Sequence, residues 1–438
     1  MIGVATIRAG MTAARSAWAV AWAVVRDAVT GAAACVAAGL ATGGMPAVVA
    51  AGVLAVGVTL SGCGPWWDAG RPLGPTAPPS DTSPAMARQL DRSDDLDPVP
   101  GLVASMSARE KSAQLLLIGF AGADVSPELR TLLEQGPVGG VILFDRNIRS
   151  GSDLVALTSL LQESARRGGS GIPLLVAIDQ EGGPVRRIRE GVPEVPAART
   201  LGESASPDEA RTLATESAKA LLALGINTNL APVADVVSDS TSFLYRRTYS
   251  GDPDVVSAYV AAVIEGQEAA GLVSVVKHFP GHGSAPGDSH AGAVWSEVGR
   301  GEFEEVHLRP FREAVTAGVP VVMLSHVVAP ALGSEAPSSV SSEVVRLLRD
   351  DLGFAGVVLT DDMEMSGSAG AGNAAVAAVR AGVDMVLVGH SAREQSDALE
   401  ALTLAAGMGS LSPSRLDEAV TRVLRLKIAF GLLPGAAF

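Results

Sequence analysis

The sequence predicts an α/β fold: a single (β/α)8 barrel of the TIM type, preceded by a signal segment and a flexible linker. Eight short apolar runs alternate with helical patterns between residues 101 and 438, and polar residues directly follow several of these runs. This alternation favours a parallel barrel, in which functional side chains lie at the carboxyl ends of the strands. A doubly wound open sheet is the alternative fold.

Residues 1–62 are predicted to be a signal segment. Residues 46–62 form an apolar run, and residues 58–63, with the sequence VTLSGC, resemble a bacterial lipobox, whose cysteine is acylated after the preceding segment is removed. We therefore expect a lipid anchor at Cys63 and an extracytoplasmic location at the membrane of the cell envelope. A plain transmembrane anchor or an uncleaved signal is the alternative, and residues 1–44 leave the true start of the chain open.

Residues 63–100 are predicted to be a flexible linker, and residues 101–438 are predicted to be the folded barrel. The linker is rich in Pro, Ser, Thr and Asp, a composition that buries too little apolar surface to fold. The sequence contains two cysteines, Cys35 and Cys63, and both precede the barrel. No disulfide framework and no cysteine-based metal site is therefore expected in the folded domain.

The predicted barrel strands are short apolar runs. Each run has the length of an ordinary strand, and helical or turn-forming residues lie between the runs. The predicted strands are residues 115–119, 140–144, 174–178, 228–233, 274–278, 321–325, 357–360 and 385–388.

Two of the predicted helices have clear start signals. Ser206 is followed by proline and, three positions later, by Glu209, which together form a capping box with proline at the first helical position. This helix is predicted to end before Gly225. The last helix is predicted to begin at Ser412, again followed by proline, and its apolar stripe consists of Leu416, Val420, Val423 and Leu424.

The charge balance argues against nucleic acid as a partner. The chain has 33 basic and 47 acidic residues, for a formal net charge of -14. Binding to phosphates requires a basic stripe, and none is present in this sequence. Aromatic residues make up 4% of the chain, which leaves few side chains for stacking against bases.

The loop after the fifth predicted strand concentrates ionisable residues. Lys277, His278, His282, Asp288 and His290 lie within fourteen residues of one another, among several glycines that would allow the loop to move. Asp288 and His290 are two positions apart, so their side chains leave extended backbone on the same side. A carboxylate beside an imidazole raises the pKa of the ring and gives a proton donor that works near neutral pH. A turn-capping role for Asp288 is the alternative.

Three further strand ends carry charged residues. Asp361 follows the strand at residues 357–360, a position typical of a nucleophile or base in a barrel. Its neighbour Asp362 should project the other way and form structural hydrogen bonds, although strand parity alone does not decide between the two. Asp179 follows the third predicted strand, and Arg246 and Arg247 come after the fourth.

These motifs resemble glycoside hydrolase family 3, and specifically its β-N-acetylglucosaminidase branch, the NagZ-like enzymes. The matching segments are KHFPGHGSAPGDSH at residues 277–290, DQEGG at 179–183, APVAD at 231–235, TD at 360–361 and RVLRLK at 422–427. The long loop motif is the most specific of these, and the resemblance covers about residues 101 to 435.

The resemblance implies that Asp361 is the nucleophile and that Asp288 and His290 form the acid/base dyad. It also implies that five residues hold the hydroxyl groups of the non-reducing sugar: Asp179, Arg187, Arg247, Lys277 and His278. Pro184 departs from the family pattern, because relatives often have arginine there. Many family members add a second α/β domain that supplies a glutamate acid; here the barrel occupies the chain, so the dyad would perform that step.

The implied function is that of a retaining exo-β-N-acetylglucosaminidase, a β-N-acetylhexosaminidase acting on peptidoglycan fragments such as GlcNAc-MurNAc and muropeptides. No cofactor and no metal is expected, and the protein is expected to be a monomer. A phosphorylase or a β-glucosidase of the same family remains an alternative, as does a lipoprotein that binds cell-wall sugars without catalysis. A metal-dependent hydrolase would use His278, His282, Asp288 and His290 as ligands.

Overall fold

The computed structural model describes residues 97–136, 138–289, 292, 294–365 and 371–433. The predicted signal segment, Cys63 and almost all of the predicted linker lie outside the described residues, as does His290. The first described helix begins at Val99.

Within these residues, eight parallel strands form the predicted barrel, at the predicted places in the chain. They are β1 Leu116–Ile118, β2 Gly140–Leu143, β3 Leu175–Ile178, β4 Thr228–Asn229, β5 Val273–Phe279, β6 Val321–Leu324, β7 Val357–Thr360 and β8 Val386–Val388. The order of neighbouring strands is β7-β6-β5-β4-β3-β2-β1-β8. A parallel bridge between Leu359 and Met385 joins β7 to the chain just before β8, so the sheet closes on itself. The (β/α)8 prediction is confirmed.

The fourth strand is shorter than the sequence predicted. Regular pairing stops at Asn229, whereas the apolar run continues to Val233. Pro232 has no backbone N–H to donate, and the chain beyond it pairs with β5 only through the isolated bridge between Val233 and Lys277.

The helices surround the barrel on its outer side. They are α1 Val99–Ser105, α2 Ala108–Gln114, α3 Pro127–Gln135, α4 Gly151–Arg167, α5 Ala198–Ser204, α6 Pro207–Ala223, α7 Pro253–Ala270, α8 Arg300–Glu302, α9 Arg309–Thr316, α10 Ser342–Arg346, α11 Ala371–Ala381, α12 Ala392–Gly407 and α13 Pro413–Ala429. Single π-helical turns, Phe303–His307 and Leu347–Asp351, extend α8 and α10. No helix in the described ranges is long and apolar enough to span a bilayer.

Both predicted helix starts are confirmed. The hydroxyl of Ser206 accepts a hydrogen bond from the Glu209 amide, and the Glu209 carboxylate accepts one from the Ser206 amide. At the start of α13, the Ser412 hydroxyl accepts a hydrogen bond from the Arg415 amide. These bonds satisfy amide groups that the first turn of a helix leaves without intrahelical partners.

The core has two layers. Alternate strand residues such as Leu117, Ile142 and Val275 fill the barrel interior, and the residues between them pack outward against the helices. Val423 and Leu426 of α13 join the interior cluster. Lys427, in the same helix, donates to Gln114, which lies two residues before β1, so α13 closes the barrel at the amino ends of the strands.

A buried carboxylate fastens α13 to the barrel. Asp384, just before β8, is fully buried and forms ion pairs with Arg349, Arg415 and Arg422. Two of these arginines belong to α13. The opposite end of the barrel, where the strands finish, is left for the functional groups.

Candidate active site

The carboxyl ends of the strands bring several predicted site residues together. Asp179 follows β3, Lys277 and His278 lie in β5, and Asp361 follows β7. Arg187 reaches the same region from the loop after β3, where a short antiparallel hairpin, Gln180–Gly182 with Val185–Arg186, shapes the chain. Arg247 comes from a single 3-10 turn after β4.

A network of ion pairs lines the carboxyl end of the barrel. The Lys277 ammonium contacts Asp179 Oδ1 and Glu181 Oε1, each at 2.7 Å. Two nitrogens of the Arg247 guanidinium donate hydrogen bonds to the Glu181 carboxylate, at 2.7 and 2.9 Å. Arg187 extends this network: its guanidinium lies 3.8 Å from the Asp179 carboxylate and 2.9 Å from the Asp145 carboxylate. The predicted sugar-holding residues are thus held in place by one another and by two carboxylates outside the predicted set.

Glu181 and Lys277, at the centre of this network of ion pairs, are held in their charged forms. Burial alone would raise the pKa of Glu181, but the charges of Lys277 and Arg247 outweigh burial and hold that pKa far below its ordinary value. Burial likewise opposes the charge on Lys277, whose pKa is nevertheless raised by Asp179 and Glu181. Glu181 and Lys277 therefore form a buried pair of opposite charges near neutral pH.

His278 is oriented by a second buried carboxylate. Its Nδ1 lies 2.7 Å from Asp235 Oδ2, and Asp235 Oδ1 accepts hydrogen bonds from the amides of His282 and Gly283. Burial would raise the pKa of Asp235, but the charge of His278 and these hydrogen bonds lower it. Because the ionised carboxylate only accepts, Nδ1 of His278 carries a proton and Nε2 is left for another partner.

Asp361 is a half-buried carboxylate beside these groups. Its Oδ1 accepts a hydrogen bond from the Asp362 amide at 2.8 Å. Burial would raise its pKa, but the charges of His278, His326 and Lys277, together with that hydrogen bond, hold the pKa below its ordinary value. Asp361 is therefore an ionised carboxylate at neutral pH.

His326 stabilises the backbone turn that carries Asp361. Its Nε2 lies 2.9 Å from the carbonyl oxygen of Asp362, and its Nδ1 lies 2.7 Å from the hydroxyl of Ser339. A carbonyl oxygen only accepts, so Nε2 is the donor. His326 is buried, and its two hydrogen bonds hold the turn after β7 in place.

Asp362 has a different environment from its neighbour. Its Oδ1 accepts from the amides of Glu364 and Gly389, and its Oδ2 lies 3.3 Å from Nε2 of His390. Burial raises the pKa of Asp362, and these hydrogen bonds offset only part of the effect. His390 in turn is contacted at Nδ1 by Arg146, at 3.0 Å. Asp362 thus belongs to a structural hydrogen-bond network, as predicted.

Asp288, predicted to be half of the acid/base dyad, lies in the loop after β5 and is partly buried. With residues 237–239 and 241–243 of the neighbouring loop it lines an open groove. His290 lies outside the described residues, so pairing of Asp288 with His290 stays a prediction. The preceding part of the loop is anchored by His282, which is buried and contacts the Ser289 hydroxyl through Nε2 at 3.0 Å.

Metal ligation was the alternative use of this loop. In the part of the chain that the structure describes, no group of three or more His, Cys, Asp or Glu side chains is arranged to hold a metal ion. His278 uses Nδ1 to contact Asp235, and His282 uses Nε2 to contact Ser289.

The sequence comparisons decide the family. Residues 107–426 match the model of the glycosyl hydrolase family 3 N-terminal domain. The chain belongs to glycosyl hydrolase family 3. A β-hexosaminidase of Stenotrophomonas maltophilia strain R551-3 is 36% identical over 286 residues, which cover 63% of this chain and 83% of the relative. The family assignment and this similarity make the chain a glycosidase.

Solved structures of family 3 proteins share the fold. A family 3 β-N-acetylglucosaminidase from Paenibacillus sp. FPU-7 has a TM-score of 0.73 and 38% identity, with the match covering 76% of this chain and 64% of that one. LpqI of M. tuberculosis has a TM-score of 0.67 and 32% identity, covering 76% of this chain and 96% of the other. The chain therefore spans somewhat less than two thirds of the Paenibacillus protein but nearly all of LpqI.

The structure gives roles at the site to four residues outside the predicted catalytic and sugar-binding set, although the sequence already places Asp235 and His326 at strand ends, where functional side chains are expected. Glu181 and Asp235 lay inside recognised motifs, but nothing in a linear motif shows that they orient Lys277, Arg247 and His278. Asp145 and His326 follow strand ends, and that position was the only available signal. Their roles depend on which strand ends become neighbours, which appears only when the barrel closes.

Proposed function

We propose that this chain is a retaining exo-β-N-acetylglucosaminidase that removes a terminal β-linked GlcNAc from peptidoglycan fragments by double displacement. The observation that carries the proposal is Asp361, an ionised, half-buried carboxylate at the carboxyl end of the barrel. The groups near Asp361 are hydrogen-bond donors and acceptors held in place by ion pairs. The similarity to β-hexosaminidases supports the N-acetylated sugar as the substrate.

The terminal sugar would be held by groups whose geometry is set before it binds. The Lys277 ammonium, the Asp179 carboxylate and Nε2 of His278 offer donors and acceptors suited to sugar hydroxyls. Their partners Glu181 and Asp235 are buried and ionised, so the site need not reorganise on binding. Such preorganisation lowers the cost of reaching the transition state.

In the first step, Asp361 attacks the anomeric carbon. Its Oδ1 is engaged by the Asp362 amide, so the second carboxylate oxygen is the one that forms the bond to carbon. As the glycosidic bond breaks, protonated His290, paired with Asp288, gives its proton to the departing oxygen. The product is a covalent glycosyl-enzyme ester together with the released aglycone.

In the second step, neutral His290 removes a proton from water, which attacks the same carbon and breaks the ester bond. Asp361 returns to its carboxylate form and His290 to its protonated form. Two inversions at one carbon retain the β configuration. A histidine dyad replaces the second carboxyl group of the usual two-carboxylate mechanism.

The peptidoglycan substrate rests on the predicted lipid anchor at Cys63, which would hold the enzyme outside the cytoplasm beside the cell wall. A role in wall turnover or recycling follows from that location. Phosphorolysis remains the second candidate reaction, because it uses the same protein groups and differs only in the acceptor.

The proposal is tested by following release of a fluorescent phenol from its β-N-acetylglucosaminide and its β-glucoside, using the chain that begins after Cys63. Preference for the N-acetylated sugar, with retained configuration in the product and no effect of phosphate, is the expected result. Strong acceleration by phosphate with formation of a sugar 1-phosphate would make the enzyme a phosphorylase. A folded protein without activity on either sugar would favour a binding lipoprotein.

A further inference from the structure

The turn after β7 is held by hydrogen bonds to its backbone from three directions. The amide of Asp361 donates to a backbone carbonyl of β6, and the amide of Met363 donates to a backbone carbonyl of β8, each at 2.9 Å. Between them, the carbonyl of Asp362 accepts from Nε2 of His326 at 2.9 Å. Strands β6 and β8 thus fix the two ends of the turn, and His326 fixes its middle.

The middle of this turn determines how the Asp361 carboxylate is presented. The amide of Asp362 donates to Oδ1 of Asp361 at 2.8 Å. Asp362 has only two soft backbone dihedral angles, so a hydrogen bond that fixes its carbonyl also restrains its amide. Without that restraint the amide can turn away from Oδ1, and the carboxylate is then free to rotate.

His326 holds the Asp362 carbonyl only while Nε2 carries a proton. In the neutral ring, a proton on Nδ1 instead would leave Nε2 as an acceptor facing the carbonyl oxygen, and two acceptors repel each other. The Ser339 hydroxyl lies 2.7 Å from Nδ1. By donating to Nδ1 it favours the tautomer with the proton on Nε2. The two hydrogen bonds, one to each ring nitrogen, also fix the orientation of the ring.

Ser339 is itself firmly placed. It lies in the 3-10 turn Ser338–Val340, and it is buried, as is the serine before it. The hydroxyl of Ser338 donates to the carbonyl of Val327 at 2.6 Å. Val327 directly follows His326 in the chain, so this bond attaches the turn beside the ring that Ser339 contacts.

We propose that Ser339 is a positioning residue for the nucleophile, acting through His326 on the turn after β7 and so on the orientation of the Asp361 carboxylate. The inference rests on the proposed function, because it takes Asp361 as the group that attacks the sugar. Ser339 lies outside every motif that carries the family resemblance. Because it is buried, it acts through two hydrogen bonds and the backbone.

The first test measures bond formation by Asp361 alone. A 5-fluoro derivative of a β-GlcNAc donor forms a glycosyl-enzyme that accumulates, and the rate of its formation is followed by mass spectrometry. Ser339→Ala should slow this step about tenfold, because small displacements of a reacting group are costly. The inhibition constant of free GlcNAc, which forms no bond to Asp361, should change by less than about twofold.

The leaving group provides a second readout. Attack by Asp361 is required whichever group departs, so Ser339→Ala should slow glycosyl-enzyme formation by a similar factor for a dinitrophenyl and for a poor leaving group. A loss confined to the poor leaving group would indicate impaired proton donation. That result would overturn the role of Ser339 in positioning the nucleophile.

A double-mutant cycle tests whether Ser339 acts through His326. His326→Gln retains an N–H donor for the Asp362 carbonyl but has no ring tautomer to be set. In this background, Ser339→Ala should slow glycosyl-enzyme formation by less than about twofold. Losses that multiply, as for independent sites, would overturn the proposed route through His326.

Ser341→Ala is the matched control. Its hydroxyl is also buried, but it accepts from the Val344 amide at the start of α10 and lies 3.1 Å from the Glu343 carboxylate. This variant should lose stability in urea, as Ser339→Ala does, because a helix cap is removed. Its rate of glycosyl-enzyme formation should stay within about twofold of the wild type, because that cap does not contact the turn after β7.

The outcomes separate this inference from the proposed function. Wild-type enzyme labelled on Asp361, with Ser339→Ala reacting as fast, would overturn the positioning role and leave the proposed function intact. Equal losses of rate in Ser339→Ala and Ser341→Ala would do the same. A folded wild type that forms no adduct and hydrolyses no β-N-acetylglucosaminide would overturn both.

Discussion

Two adjacent carboxyl groups show how residue-level environment assigns chemistry in this protein. Cationic and histidine side chains surround Asp361 and lower its pKa, whereas burial without a comparable cation raises the pKa of Asp362. Strand parity could not separate the two. The difference comes from the charges of His278, His326 and Lys277, which belong to β5 and to the end of β6, and their proximity to Asp361 is not visible in the linear sequence.

The buried partner of the sugar-holding cations gives a first prediction. Glu181→Gln would leave Lys277 and Arg247 without their shared carboxylate. Removing one partner of a buried ion pair costs about 3–5 kcal/mol of stability, and kcat/KM should fall at least 100-fold because the site is no longer preorganised. Urea unfolding and steady-state kinetics measure the two effects.

The control for this prediction is Glu194→Gln. Glu194 pairs with Arg186, but its side chain is 82% exposed, so stability should change by less than about 0.5 kcal/mol and kcat/KM should be near that of the wild type. Similar losses in both variants would contradict the role given to Glu181.

The acid/base assignment gives a second prediction. His290→Ala should slow hydrolysis of substrates with poor leaving groups, such as sugars, by about 10²- to 10⁴-fold. An activated dinitrophenyl leaving group departs without protonation, so its rate of glycosyl-enzyme formation should fall far less. Pre-steady-state release of the phenol measures this step. Equal losses on both substrates would remove His290 from the role of acid.

At the scale of whole elements, hydrophobic pattern and capping residues were sufficient to predict where strands and helices lie. All eight strands were found, and both predicted helix starts were confirmed by the hydrogen bonds of Ser206 and Ser412. The early end of β4 was missed because an apolar run does not reveal where proline interrupts the pairing of strands. The short hairpin after β3 was not predicted either, because its residues do not form an apolar run.

The capping box of α6 gives a third prediction. Ser206→Ala removes the hydroxyl that accepts from the Glu209 amide and should lower the free energy of unfolding by about 1 kcal/mol. Thr212→Ala, an exposed change within the same helix, should alter it by less than about 0.5 kcal/mol. Chemical denaturation of both variants measures the free energy of unfolding. An equal loss in the two variants would show that the capping hydrogen bond is not the cause.

At the scale of the whole molecule, the chain separates stability from function along the barrel axis. α13 closes the amino ends of the strands with Val423 and Leu426, and Asp384 fastens that helix through its arginines. The ion-paired site occupies the opposite ends. Sequence periodicity predicted α13, but not that it plugs the barrel, because that placement depends on contacts with strands far away in the chain.

Lys427 gives a prediction at this scale. It is fully buried beside Gln114, and burial lowers its pKa to about 7. The unfolded lysine has a pKa of roughly 10.4, so between these values the unfolded state binds more protons and stability rises with pH. Relative to Lys427→Met, the wild type should gain up to about 1.4 kcal/mol per pH unit from about pH 7 to about pH 10.

Urea denaturation of both proteins at several pH values measures this difference. The same comparison with Lys219→Met, at an exposed position of α6, is the control. A constant difference for Lys427→Met would mean that the buried lysine is not neutral in the folded state.

The central claim, that Asp361 is the nucleophile of a retaining β-N-acetylglucosaminidase, is tested most directly by trapping the glycosyl-enzyme. A 5-fluoro derivative of a β-GlcNAc donor with a good leaving group should form a covalent adduct that accumulates, and mass spectrometry of proteolytic peptides should locate the added sugar on Asp361. Asp361→Asn should form no adduct. A sugar attached to Asp362 or elsewhere, or turnover with inverted configuration and no adduct, would contradict the account.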